Sequence, residues 1–293
     1  MAKRPIRPSI RANNPATTRG GTRPPFHDEH GRKGWLAPFS RAQRHVIQRH
    51  ALAIPGWPRL ERPLRIVFLS DFHVGSHADD VARLAAIAAE AAALAPDLVL
   101  FGGDYVNMQL IGGGRVPPRV VAGLLARIEG RIGRFAILGN HDYSYGEREV
   151  ASALRSHNVT VLDHERQTIR IGGLGLDIVG LPDAHVERPQ SHALLAGLTS
   201  DRPTIVLAHD PVWFAKVPAG PFLTLAGHTH GGQIRLPVVG VLKNSSRAPL
   251  RWSHGLIVEG GRHLYVTAGL GTSTVPVRIG VRPEFALIEV SGT

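Results

Sequence analysis

The chain has 293 residues, 43% hydrophobic and 19% charged, enough to bury a sizeable core as one large domain or two small ones. It contains no cysteine, which excludes disulfides, thiolate nucleophiles and Cys-based zinc sites, and leaves sixteen histidines and the carboxylates as ligands for any transition metal. The formal charge of +11 is concentrated at the start: residues 1–50 hold eleven Lys/Arg against Asp28 and Glu29, a net +9, and the rest of the chain carries +2.

In chain order, residues 1–34 are rich in Arg, Pro, Gly and Thr without hydrophobic periodicity, and read as a disordered or loosely docked basic arm. Leu36, Phe39, Val46, Ile47 and Ile54 then recur at roughly helical spacing, with Arg41, Arg44, Gln48 and Arg49 elsewhere on the wheel. Residues 36–54 are therefore expected to form a short basic amphipathic helix, ended by Ile54-Pro55-Gly56-Trp57-Pro58. The arm and its helix are assigned to residues 1–60 and the main domain to 61–293. No run of 18 or more apolar residues predicts a transmembrane helix, and no apolar stretch follows the basic start as in a secretory leader. The expected location is cytoplasmic, extended by the arm to peripheral attachment at a membrane surface. Attraction of the arm to anionic lipid is favoured over nucleic acid, because only Phe26 and Trp35 interleave its basic residues as far as Trp35. Ahead of both stands the simplest reading of the arm, a solvated tail that aids solubility.

From residue 64 strand and helix patterns alternate. Apolar runs at 64–70, 97–101 and 135–138 predict strands, and helices are expected from Asp79 or Asp80 to Ala95, over 117–130 and over 147–157. Shorter strand-like runs follow at 159–162, 167–171, 176–181, 204–208, 222–226, 263–267 and 285–290. An α/β first half followed by a strand-rich second half predicts two sheets in contact with helices outside.

Five polar clusters stand directly after such runs: Ser70-Asp71-Phe72-His73, Gly102-Gly103-Asp104, Leu138-Gly139-Asn140-His141-Asp142, Ala208-His209-Asp210 and Gly227-His228-Thr229-His230. Loops at the carboxyl ends of strands converge on one sheet edge, so these clusters are expected to share one site. Asp71, His73, Asp104, Asn140, His209, His228 and His230 offer seven oxygen and imidazole donors, more than one tetrahedral ion needs and suited to a pair sharing a carboxylate. Two ions roughly 3.5–4 Å apart can grip the attacking and leaving oxygens of a phosphoryl displacement, and a hydroxide between them would be the nucleophile, with no need of Ser or Cys. Taken singly, a histidine such as His73 or His209 is more often a core or surface side chain; it is the set that carries the metal reading.

The ordered set D-x-H, G-D, G-N-H-D, H and G-H-T-H over residues 71–230 resembles the calcineurin-like metallophosphoesterases. Gly231-Gly232-Gln233, Leu264-Tyr265-Val266, Gly269-Leu270-Gly271 and Pro276-Val277-Arg278 resemble a bacterial branch that contains membrane-associated phosphodiesterases and an enzyme splitting a UDP-diacylglucosamine pyrophosphate. The resemblance implies a four-layer α/β/β/α sandwich of two mixed sheets, with a dinuclear site at the sheet edge. It implies one ion held by Asp71, His73, Asp104 and His230, and another by Asp104, Asn140, His209 and His228, the ions being Mn, Fe or Zn. His141 would then hydrogen-bond the phosphate and protonate the leaving oxygen. Many relatives carry an acid three residues after the bridging Asp to support that histidine; here the position is Asn107, with Asp142 as a substitute supporter. Asn107, Tyr143 and Arg278 are candidate substrate contacts, and a structural salt bridge is the other reading of Arg278. The expected activity is hydrolysis of a phosphodiester or lipid-linked pyrophosphate. The alternatives are a phosphomonoesterase or nucleotidase, and a non-catalytic metal-binding scaffold.

Overall fold

The structure is a computed structural model and describes residues 42–108, 114–241 and 244–293. The first half of the chain runs β1 (Val46–Ile54), β2 (Leu64–Leu69), α1 (Asp80–Ala93), β3 (Leu98–Phe101), α2 (Pro118–Leu125), β4 (Gly133–Ala136), α3 (Asn140–Arg155) and β5 (Thr160–Val161). It continues with β6 (Glu165–Ile171), β7 (Leu174–Leu181), α4 (Pro189–Ala196), β8 (Thr204–Ala208) and β9 (Phe222–Ala226). Then come β10 (Arg235–Leu236), β11 (Gly240–Val241), β12 (Gly255–Glu259), β13 (Arg262–Val266) and β14 (Glu284–Gly292).

Two six-stranded mixed sheets result, in the orders β1-β14-β2-β3-β4-β5 and β12-β13-β9-β8-β7-β6. The apolar strands divide their side chains by the period of two. In β2 and β3, Ile66, Phe68, Leu98 and Leu100 enter a core shared with Ile205, Leu207, Leu223 and Leu225 of the second sheet. Val67, Leu69, Val99 and Phe101 face the other way, onto Leu84, Ile87, Ala88 and Ala91 of α1 and onto α2 and α3. On the far face of the second sheet, Val206, Ala208 and Val266 pack against Trp213, Phe214, Trp252 and Leu195 of α4. The layers are therefore helix, sheet, sheet, helix, as expected. No helix among the described residues is long and apolar enough to cross a membrane.

The helix expected over 36–54 is corrected. Residues 36–41 lie outside the described residues, as do residues 1–35 of the arm, and Val46–Ile54 is a strand. From Arg49 onward its exposure alternates, burying Leu52 and Ile54 in the core between the sheets. Its partner is β14 in parallel, Val46 against Glu284 through Ile54 against Gly292. Strand pairing across the length of the chain overrides the weak local periodicity. The sheet thus begins at Val46, inside the segment assigned to the arm. The helix expected over 147–157 starts at Asn140 and is broken at Gly146, whose φ of 146° no helical residue adopts. Short elements (α4, β10, β11 and β12) had no counterpart in the sequence reading.

Candidate metal centre

Register brings the motifs together. Leu69 pairs with Phe101 and Phe101 with Ala136, so β2, β3 and β4 end side by side in parallel. In the second sheet Leu181 pairs with Ala208, Ala208 with Ala226 and Val266 with Ala226, so β7, β8, β9 and β13 end together too. The chain leaving each of these strands emerges at a common edge, the position where open α/β sheets bind ligands.

All seven expected donors meet there. Nε2 of His73 and Nε2 of His230 lie 3.1 Å apart, with Asp71 Oδ1 3.7 Å from the latter. Nε2 of His209 lies 3.1 Å from Nδ1 of His228 and 3.3 Å from Oδ1 of Asn140. Between the two groups stands Asp104, whose Oδ2 is 3.5 Å from Nε2 of His73 and 3.4 Å from Nε2 of His209. Its other oxygen, Oδ1, accepts the His141 amide at 2.9 Å, so only Oδ2 is left to face both sides.

Outer partners set the orientation of these rings. His209 Nδ1 donates to the Gly102 carbonyl at 2.7 Å and His228 Nε2 donates to the Ser245 carbonyl at 3.1 Å, which leaves the opposite nitrogen of each ring with its lone pair turned inward. Asp71 accepts the His228 amide at 2.9 and 3.0 Å. Asp142 receives three amides, Asp104 and Gly139 on Oδ2 at 2.8 and 2.9 Å and Tyr105 on Oδ1 at 2.9 Å, tying the β3 and β4 loops together. A Cβ at Gly139 would run into Asp104 Oδ1, and one at Gly227 into Asp71 Oδ2, so both glycines are required by close approach. Asp71, His73, Asp104, His228 and His230 all have φ between 41° and 66°, the left-handed region that side-chain-bearing residues avoid. Such strain clusters where a site demands it.

The electrostatics fit cations. Burial lowers the His73 pKa to about 3, and burial, His73 and Arg278 hold His230 well below its ordinary value, so both rings are neutral, the form that binds metal. Burial raises Asp71. Asp104 is buried as well, but the His209 and His141 imidazoles pull it far below the usual carboxylate range; against its own burial, His209 is in turn held well above its ordinary value by Asp104, so an ion at its Nε2 would displace a proton. Two inward-facing imidazole nitrogens 3.1 Å apart, beside two fully buried carboxylates, are poorly satisfied by one another and well satisfied by divalent ions.

The remaining candidates fall differently. His141 is half-buried, its ring edge-on to His73 with centroids 4.6 Å apart, and its Nδ1 is buried without a hydrogen-bond partner among the described residues. Asp142 is corrected as its supporter, since both oxygens are committed to backbone amides. Asn107 is buried and donates to the carbonyls of Gly75 and Gly114 at 3.1 and 3.2 Å, bracing a loop. Tyr143 donates to Asp163 Oδ1 at 2.7 Å, and burial and that carboxylate raise its pKa. Arg278 is 4% exposed and donates to the carbonyls of Gly271, Ala268, Gly269 and His230, so the substrate-phosphate and salt-bridge readings are both replaced by a carbonyl clamp behind His230. Burial lowers its pKa to about 10, leaving it charged.

One group escaped the sequence reading. Asp183, two residues after β7, is fully buried; Oδ1 accepts the His185 amide at 2.7 Å, while Oδ2 has no hydrogen-bond partner among the described residues and lies 3.8 Å from Nδ1 of His228. Its place directly after an apolar strand is the signal that marked the other five clusters.

A family model of calcineurin-like phosphoesterases matches residues 64–232, more than half of the chain. The phosphodiesterase YaeI of Escherichia coli is 31% identical over 262 residues, covering 80% of this chain and 89% of that one. The uncharacterized metallophosphoesterase YkuE of Bacillus subtilis is 30% identical over 201 residues, covering 68% and 69%. Among solved structures, the NAD nucleotidase of Haemophilus influenzae aligns with a TM-score of 0.47 at 14% identity, over 70% of this chain and 44% of that one. With the matched span running from the first strand of the α/β alternation through the last histidine of the cluster, the chain belongs to the calcineurin-like phosphoesterase family and is a metal-dependent phosphoester hydrolase.

Proposed function

We propose that the chain hydrolyses a phosphodiester or a lipid-linked pyrophosphate. Asp71, His73, Asp104 and His230 would hold one divalent ion, and Asp104, Asn140, His209 and His228 the other, as Mn, Fe or Zn. The observation that carries this reading is Asp104 Oδ2, placed between Nε2 of His73 and Nε2 of His209 with its partner oxygen pinned by the His141 amide. When bound, two such ions supply Lewis acidity and an activated water for attack on phosphorus.

The protein's own part is positioning and proton transfer. The amide of His141 fixes Asp104, and its imidazole stands beside the cluster, free to hydrogen-bond a phosphoryl oxygen and protonate the departing one. Both Asp142 oxygens are taken by backbone amides, and the imidazole of His141 is oriented by its edge-on contact with His73 and by the helical first turn of α3. The diester preference is supported by likeness to YaeI, named a phosphodiesterase. We assign the basic N-terminal arm, outside the described residues, a contribution to peripheral attachment at an anionic lipid surface.

The test is turnover of bis-p-nitrophenyl phosphate, p-nitrophenyl phosphate, nucleotides and a nucleotide-sugar lipid with each candidate ion. Diester or pyrophosphate hydrolysis lost in His141→Ala with metal content retained is the expected result. Full metal occupancy without turnover of any diester or pyrophosphate would leave a scaffold or a monoesterase instead.

A further inference from the structure

Directly after His230 the chain turns through Gly232, and Gln233 is fastened by its side chain to the carbonyls of Ser273 and Val275 and to the Ser273 amide. From this anchored root residues 234–241 project as the β10–β11 hairpin, with Arg235 paired to Val241 and Leu236 to Gly240. Its side chains are apolar yet uncovered: Ile234, Leu236, Val238 and Val239 are exposed, Val238 fully and Val239 by 63%. Val238 has φ of 67°, a conformation a β-branched residue adopts only at a cost. Neither core packing nor turn preference explains valine there; glycine or asparagine would relieve the strain.

Two further observations say what covers the tip. The apolar strip is continuous with Ile279, which bridges to Ile234, is 46% exposed, and lines a cavity of about 220 Å³ with Leu270, Pro276, Val277 and Pro283. The chain carries no acid between Asp210 and Glu259 or between Glu259 and Glu284; Lys216 and Arg251 are paired with Glu187 and Glu259 and Arg278 is buried, but Arg235, Arg247 and Arg282 have no carboxylate partner among the described residues. Arg235, on the hairpin, and Arg282 are exposed. A narrow convex tip cannot bury the roughly 800 Å² per partner of a stable protein interface. A few protruding apolar side chains among arginines match an anionic bilayer, where insertion of apolar area and attraction to headgroups act together.

We infer that the hairpin at 234–241, with Ile279, is a lipid-surface anchor that inserts into an anionic phospholipid bilayer and holds the catalytic cleft at the headgroups. A cleft of about 240 Å³, lined by His230, Gln233, Asn244, Ser245 and Thr274, runs from the cluster to Ile234 at the hairpin root. A membrane-seated tip therefore places the metal centre within reach of a phosphoryl group whose lipid tail stays in the bilayer. This last consequence rests on the proposed lipid-linked substrate; the insertion itself does not.

The test uses the full chain with vesicles of phosphatidylglycerol and phosphatidylcholine, against phosphatidylcholine alone. The double variant Val238→Asp, Val239→Asp is expected to lose roughly tenfold or more in partition to the anionic vesicles, while its turnover of bis-p-nitrophenyl phosphate in lipid-free buffer is unchanged. A Val238→Trp variant is expected to shift its emission to the blue on vesicles and to be quenched by brominated lipid. Unchanged partition of the double variant, or an unquenched indole, overturns the anchor. So does a wild-type dimer that the double variant converts to monomer without loss of vesicle binding, which would make the tip a contact between copies. Vesicle binding that survives in a chain inactive on every diester and pyrophosphate would keep the anchor and sink the proposed substrate class.

Discussion

The imidazoles of His73 and His230 face each other with their Nε2 atoms 3.1 Å apart, both buried. Burial keeps each ring neutral, and a divalent ion between or beside them would replace a poor contact by two good ones. Chelation should therefore destabilise the fold as well as stop turnover. An ion at 100 times its dissociation constant adds about 2.7 kcal/mol, roughly 4–5 °C in Tm for a chain of this size. Thermal melts with EDTA and after Mn²⁺ addition check this; identical melts, with no metal retained after gel filtration, would count against the site.

Asp104 faces both halves of the cluster, whereas Asp71 borders only the His230 side and spends itself on the His228 amide. Asp104→Asn should weaken both ions and Asp71→Asn mainly one. Elemental analysis is expected to find less metal in the Asp104 variant, and its rate should be lower by a further factor of about ten, equivalent to about 1.4 kcal/mol of barrier. Equal metal content and equal residual rates would remove the bridging role.

Asp142 and His141 are neighbours with opposite expected phenotypes. Asp142 satisfies the buried amides of Asp104, Tyr105 and Gly139, and burial together with Asp104 pushes its pKa up to about 7. Asp142→Ala strands those amides at about 1–3 kcal/mol each, so urea unfolding should reveal a loss of about 3 kcal/mol or more. His141→Ala should keep stability and metal yet lose on the order of 10²–10⁴ in rate, most with poor leaving groups. A His141 variant that loses its metal would instead make that residue a ligand.

Much of this site was legible because its donors sit in contiguous clusters at the ends of apolar strands, and strand register alone carries them to one edge. The layers were legible for a similar reason, since unbroken apolar runs such as 66–69 and 205–208 are suited to burial on both faces. Strand β1 was not, because its pairing partner β14 lies at the opposite end of the chain and no local window contains it. The role of Arg278 was hidden as well. A guanidinium caged by carbonyls at 268, 269 and 271 depends on a loop conformation that residue type does not encode.

Glu284 ties together strands that the sequence sets far apart. Its Oε1 accepts from His254 at 2.9 Å, the Ala268 amide at 3.0 Å and Tyr265 at 3.1 Å, and its Oε2 accepts from Gln48 of β1 at 2.9 Å. Burial alone would raise its pKa, but His254 and the Ala268 amide outweigh burial and hold it below the usual glutamate value. A depressed folded pKa gives stability that is present above the unfolded value of about 4.3 and lost as pH falls through the folded one. Glu284→Gln should cost roughly 1–3 kcal/mol near neutrality, and the gap to wild type should narrow in urea titrations repeated at about pH 4. A gap of constant size would mean that the charge is not what binds these strands.

Asp183 supplies the last prediction. Its Oδ1 is occupied by the His185 amide, so Asp183→Asn can keep that bond and the loop with it. Its Oδ2 is buried, without a hydrogen-bond partner among the described residues, and 3.8 Å from the inward nitrogen of His228, where a carboxylate would draw a cation or hold a water against it. Groups that flank a metal site in this way typically change affinity by 10–100-fold, so titration calorimetry with Mn²⁺ should find one of the two sites weakened by about that factor while the melting temperature of the metal-free variant matches wild type. Equal Mn²⁺ affinities at both sites would reduce Asp183 to a clamp for the loop after β7. A lowered metal-free melting temperature with intact affinity would say the same.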